Sequence, residues 1–131
     1  MRSSWKRLAI VTGFVLCVAA TDAAAEPRPV LSVLTIKLKG DQEAYLQKVK
    51  QLNAISKRVE SGGTIRVWRA MVAGADAGLI FVGIEYPNLE AFAKGTMKTR
   101  GDAEYQKLLK ALDESGTREV VSSSLLEEVT P

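Results

Sequence analysis

The chain has 131 residues, no histidine and one cysteine, Cys17, with 18 basic and 15 acidic residues for a net charge of +3. Ser-His-Asp triads and histidine-ligated metal sites are therefore excluded, and the single thiol lies in a segment that reads as a leader. Carboxylates, hydroxyls, amides, lysines, arginines and aromatics remain for chemistry, and neither a metal nor a cofactor is expected.

Arg2, Lys6 and Arg7 precede the apolar run Leu8 to Ala20, and Ala23-Ala24-Ala25 follows as an A-x-A site. This is the pattern of a secretory signal peptide over residues 1–25, cut before Glu26. The run is too short for the roughly 20 apolar residues of a spanning helix, so no stable membrane insertion is expected after cleavage. Val15-Leu16 before Cys17 lacks the small residue that precedes a lipidated cysteine. Three of the 18 basic residues (Arg2, Lys6, Arg7) and one of the 15 acidic ones (Asp22) fall in the leader, so the net charge drops from +3 to +1 without it. A basic stripe for nucleic acid is missing from the remainder. Residues 26–131 then form one exported domain, periplasmic or secreted, of ordinary single-domain size.

Along that domain the hydrophobic period changes from two to about 3.6 and back. "VLSVLTIKL", Val30 to Leu38, is β-branched and apolar and reads as a buried strand ended by Gly40. Asp41 is an N-cap for a helix in which Tyr45, Val49, Leu52, Ser56 and Val59 recur, with Gly62-Gly63 closing it. Ser56 is expected to bond back to the Leu52 carbonyl. Asn53, at the edge of this stripe, could reach a cavity.

"GTIRVWRAMVAGADAGLIFVGIEYPNL", Gly63 to Leu89, reads as a hairpin with a loop at Gly74-Ala75-Asp76-Ala77. With that loop Ala73 faces Gly78, and the pairs are Ala70 with Phe81, Trp68 with Gly83 and Arg66 with Glu85. One face carries Ile65, Val67, Met71, Ile80, Val82 and Ile84, with Arg69 as a misfit suited to an edge. The other carries Arg66, Trp68, Ala70, Val72, Leu79, Phe81, Gly83 and Glu85. A five-residue loop would instead pair Trp68 with Ile84, and both faces would still be apolar.

Pro87-Asn88 caps a second helical stretch whose Leu89, Phe92, Ala93 and Met97 share a side. Gly101-Asp102 breaks it, and Asp102 caps a helix carrying Tyr105, Leu108, Leu109 and Leu112 up to Gly116. Thr117 to Val129 is the last strand, with Ser122, Ser123 and Ser124 as small residues at its centre. The order βαββαβ is an α+β, ferredoxin-like fold: an antiparallel four-stranded sheet with helices on one face. An uncovered face bearing Trp68, Phe81, Leu79 and Val72 calls for a partner, and the expectation is a homodimer joined sheet to sheet. An RNA-binding version of the fold is excluded because the first strand offers no stacking aromatics.

The order βαββαβ, the hairpin "GTIRVWRAMVAGADAGLIFVGIEYPNLEAF" and the later "DAEYQKLLKAL" resemble the dimeric α+β barrel superfamily, near the antibiotic biosynthesis monooxygenase, NIPSNAP and EthD-like groups. The resemblance spans about Val30 to Val129. It implies two sheets facing each other around an interior that can hold a small apolar or aromatic molecule. It also implies that some members are cofactor-free oxygenases. The haem-degrading branch usually needs an axial histidine, which this chain lacks.

On the residues, Trp68 over Gly83 would contact a flat ligand or fill space in the sheet, with Phe81 beside it. Arg66 facing Glu85 would orient an anionic or carbonyl group, or form an ordinary cross-strand ion pair. Glu85 is the one weak catalytic candidate, as a proton acceptor if buried. Tyr45, Tyr86 and Tyr105 read as packing. Two functions follow: binding or monooxygenase-like oxidation of a small, partly aromatic molecule inside the barrel, or a non-catalytic periplasmic structural or interaction protein with a filled barrel.

Overall fold

A computed structural model describes residues 27–72 and 74–129. The expected leader, residues 1–25, lies outside the described residues. Among the described residues no helix is long and apolar enough to cross a membrane, and no group of three or more acidic side chains is placed to hold a metal ion.

The element order is β1 (Val30–Leu38), α1 (Gln42–Arg58), β2 (Thr64–Arg69), β3 (Ile80–Tyr86), α2 (Leu89–Arg100), α3 (Ala103–Glu114) and β4 (Arg118–Glu127). All pairings are antiparallel and the strand order is β2-β3-β1-β4, so the expected ferredoxin-like βαββαβ sheet is what forms. Its second helical unit is broken at Gly101-Asp102, as the sequence suggests. Each helix begins on the capping residue its sequence offers. Asp41 accepts from the Glu43 and Ala44 N–H groups, Asn88 from Ala91 and Asp102 from Tyr105. Each satisfies N–H groups that the first helical turn leaves unpaired.

The core lies between the helices and one face of the sheet. Ile36 is fully buried at its centre, against Tyr45, Val49, Leu52 and Ile55 of α1, Ile80 of β3, and Tyr105 and Leu112 of α3. Arg69 sits on the edge strand β2 and donates to Gln42 Oε1 at 3.2 Å, which accounts for a charge on the helix-facing side.

Several local expectations are corrected. The hairpin register is shifted by two residues: Trp68 pairs with Phe81, Arg66 with Gly83 and Thr64 with Glu85. The strands part at Ala70 and Leu79, joined by N–H to C=O bonds of 2.9 and 2.8 Å around Ala70, and the connection is longer than Gly74–Ala77. A two-residue shift keeps the parity, so the face assignments of both strands survive. Met71 and Val72, however, leave the sheet and are 80% and 98% exposed.

The helix α1 ends at Arg58, before the glycine pair, with Glu60 in the left-handed region (φ 54°). Ser56 pairs with the buried Ser61 hydroxyl rather than bonding back to Leu52, because the chain turns at Glu60 and brings Ser61 alongside. Helix α2 buries Gly95 and Thr99, with Phe92 partly covered, while Leu89 and Met97 are exposed. Gly95 decides that orientation: a Cβ there would collide with the Ser61 carbonyl, so only glycine lets α2 approach this closely.

Candidate functional site

Two surfaces could carry function, one on each side of the sheet. The open face gathers Arg66, Trp68, Phe81, Gly83 and Glu85, because alternate residues of β2 and β3 point the same way. The Trp68 indole leans across to Gly83 of the neighbouring strand. A Cβ on Gly83 would meet Trp68 Cζ3 at 2.5 Å, so the space over the glycine is occupied by the ring itself. Arg66 and Glu85 are 3.9 Å apart with both side chains more than half exposed, a loose pair of small energetic weight.

Leu31, Val33 and Thr35 of β1, with Ser124 and Leu126 of β4, continue this face into a shallow, largely apolar concavity of about 470 Å³ beside Trp68 and Phe81. Trp68 itself is 46% exposed. Asn53 does not join this group. It belongs to α1, packed on the opposite face of the sheet, where its buried Oδ1 has no hydrogen-bond partner among the described residues.

The second surface is a cleft of about 630 Å³ on the helix side, partly open to solvent. Its floor is Ser32, Ile84, Tyr86 and Ser123 of the sheet, and its walls are Phe92, Thr96, Thr99 and Arg100 of α2 with Tyr105, Gln106 and Leu109 of α3. Tyr86 and Phe92 meet edge to face, with ring centroids 5.5 Å apart. A deeper, more enclosed hollow of about 90 Å³ continues from it, sharing Ser32, Ile84, Tyr105 and Leu109 and adding Tyr45, aliphatic residues and Arg118.

The electrostatics of this cleft are one-sided. Among the described residues no carboxylate lines either part, whereas Arg100 stands at the outer cleft and Arg118 in the hollow. The Arg118 side chain is only 7% exposed and bonds through Nη2 to Asp113 Oδ1 at 2.8 Å. Burial works against its charge, but hydrogen bonds with Asp113 and Tyr45 outweigh it and hold the guanidinium's pKa above the ordinary value. Burial also pushes the Tyr86 and Tyr105 phenols up. A hydrogen bond with Thr96 opposes the shift at Tyr86; at Tyr105 the neighbouring Tyr86 adds to it and Arg118 opposes it. These tyrosines are donors at neutral pH. Titratable groups with shifted pKa values in a concave pocket make this cleft the candidate functional site.

Residue type alone gave Tyr86 and Tyr105 a packing role and Arg118 none. The sequence offers little signal for Arg118, because β4 from Glu119 to Glu127 is exposed throughout and only Arg118 at its start is partly buried.

No family model matches the chain, and no curated protein matches it by sequence. Solved structures share its shape. A protein of unknown function from Bacteroides thetaiotaomicron, described as a candidate oxidoreductase, superposes with a TM-score of 0.55 at 13% identity, over 78% of this chain and 99% of its own. A point variant of SnoaB, a cofactor-independent oxygenase from Streptomyces nogalater, gives 0.56 at 14% identity, over 79% and 95%. An antibiotic biosynthesis monooxygenase candidate from Bordetella bronchiseptica gives 0.51 at 13% identity, over 79% and 98%. At such identities the likeness concerns the fold. That fold is an antiparallel four-stranded sheet with helices packed on one side.

Proposed function

We propose that this is an exported homodimer that joins open sheet faces and holds a small, partly aromatic molecule in the cleft between sheet and helices, oxidising it without a cofactor. The observation that carries the proposal is the cleft itself, with aromatic and aliphatic walls, convergent hydroxyls and cations, and no carboxylate among the described lining residues. Such a lining binds a flat molecule and favours its ionised form. The open face is shallower, and its half-exposed Trp68 is better suited to meeting a partner. The likeness in shape to a cofactor-independent oxygenase supports the class of chemistry.

In that chemistry the substrate's own carbanion reacts with dioxygen, and the protein binds, orients and stabilises the anion. Phe92 and Leu109 would hold the ring, Thr96, Thr99 and Gln106 would fix its orientation, and the tyrosines would donate to its oxygens. The test is an NMR titration of the isotopically labelled mature chain with hydroxylated aromatic compounds, followed by oxygen-electrode assays on those that bind. Amide shifts at Thr96, Thr99 and Gln106 are expected. Shifts confined to Trp68 and Phe81 would move the ligand to the open face, and binders that consume no oxygen would remove the catalytic part.

A further inference from the structure

The Nε–H of Arg118 is fully buried and has no hydrogen-bond partner among the described residues, on a side chain otherwise held by Asp113 and Tyr45. Leaving a guanidinium N–H unpaired in an apolar setting is costly, the more so for a charged group, so its retention calls for an explanation. It lines the hollow together with Tyr105, among Val49, Leu52 and Val82. Resting on the cleft proposal above, we infer that this hollow is an oxyanion site in which Arg118 Nε and the Tyr105 hydroxyl hold the single ionised oxygen of a phenol or enol.

The geometry favours one oxygen over two. Arg118 gives Nη2 to Asp113, which takes up one donor of the edge that could grip a carboxylate bidentately, and Nε is the buried donor left unpaired. Most of the walls around it are aliphatic, Val49, Leu52, Ile65 and Val82 among them, which suits the hydrocarbon edge of an aromatic or enol ring better than a second charged oxygen. Asp113 is well exposed, so solvent screens the negative charge while the positive one stays in the low-dielectric hollow. The residual potential felt by the ligand is therefore positive. The deprotonated form of the ligand is selected, and no carboxylate or imidazole base is needed in the cleft to create it.

The probe is para-nitrophenol, whose anion is coloured. Titrated across pH in the presence of the protein, the bound phenol should ionise at lower pH than the free one, the anion binding about tenfold tighter than the neutral form for each unit of displacement. Arg118→Gln should abolish the displacement, and Asp113→Asn should preserve it. To guard against an Arg118→Gln variant that fails to fold, the wild-type Arg118 Nε resonance is followed as well, and it should move on binding.

Bound phenol with unshifted ionisation, or an Nε signal that stays put while Thr96 and Gln106 amides respond, would overturn the oxyanion site and leave the cleft proposal standing. No response from any cleft residue would remove both. Benzoate displacing para-nitrophenol with equal affinity, and moving Nε equally, would refute the preference for a single oxygen.

Discussion

The indole of Trp68 covers Gly83 diagonally across the β2–β3 ladder, although the residue directly opposite Trp68 is Phe81. The contact requires a glycine, because a Cβ at residue 83 would lie 2.5 Å from Trp68 Cζ3 and 3.1 Å from Leu31 Cδ1. The Gly83→Ala variant must push the ring aside. Since the indole is half exposed and can swing outward, the cost should stay near the lower end of the about 1–3 kcal/mol typical of overpacking. Trp68 is the only tryptophan beyond Trp5, so in a chain lacking residues 1–25 its emission reports the displacement directly. Emission and unfolding midpoint both unchanged would contradict the packing.

Gly95 sets two effects against each other. Replacing a mid-helix glycine by alanine ordinarily gains about 0.5–1 kcal/mol from backbone entropy and helix propensity. Here the new Cβ would strike the backbone carbonyl of Ser61 and the Tyr86 ring, and a carbonyl cannot swing away. Gly95→Ala should therefore destabilise by about 1–3 kcal/mol despite the propensity gain, because α2 must lift off the α1 terminus. Urea denaturation decides the sign, and a raised midpoint would refute the close approach.

These two glycines mark what the sequence makes legible. Asp41, Asn88 and Asp102 announce their helices by side-chain chemistry that acts over three residues, and period-two alternation assigns both faces of β2 and β3. Register is harder to read, because it depends on where the hairpin strands part, and no Asn-Gly or Asp-Gly pair fixes that point. The buried face of α2 is misread for a related reason. Leu89 and Met97 are the more hydrophobic residues, but Gly95 and Thr99 allow contact. Arg118 is illegible for yet another: its meaning comes from Tyr45, Tyr105 and Asp113, which the fold brings to the start of β4 from elsewhere in the chain.

The two cleft tyrosines give a pH signature. Burial raises the pKa of Tyr86 and Tyr105 above the ordinary 10.0, so above that pH the unfolded chain has lost phenolic protons that the folded chain still holds. Stability must then fall as pH rises from about 10 towards the folded values. Absorbance titration should show these phenols ionising late and together with loss of structure, and Tyr105→Phe should reduce the alkaline slope. Ordinary ionisation of Tyr86 and Tyr105 in the folded state would contradict their burial.

The open face supplies the last test. Trp68, Leu126 and the partly buried Leu31, Val33 and Phe81 form one apolar surface, flanked by Arg66 and Glu85. Joining two such faces would remove it from water at about 25 cal/mol per Å² of apolar area, against an association cost of several kcal/mol. A charge at its centre should reverse that balance, because a buried, unpaired carboxylate costs more than the surrounding contacts return. Trp68→Glu should sediment as a monomer at concentrations where the wild type is a dimer. Its circular dichroism should be unchanged, since the indole contributes nothing to the core between sheet and helices. A wild type that is monomeric at high concentration would remove the sheet-to-sheet dimer. A Trp68→Glu variant that still dimerises would shift the contact to another surface, the exposed Leu89 and Met97 on α2 being the next to substitute.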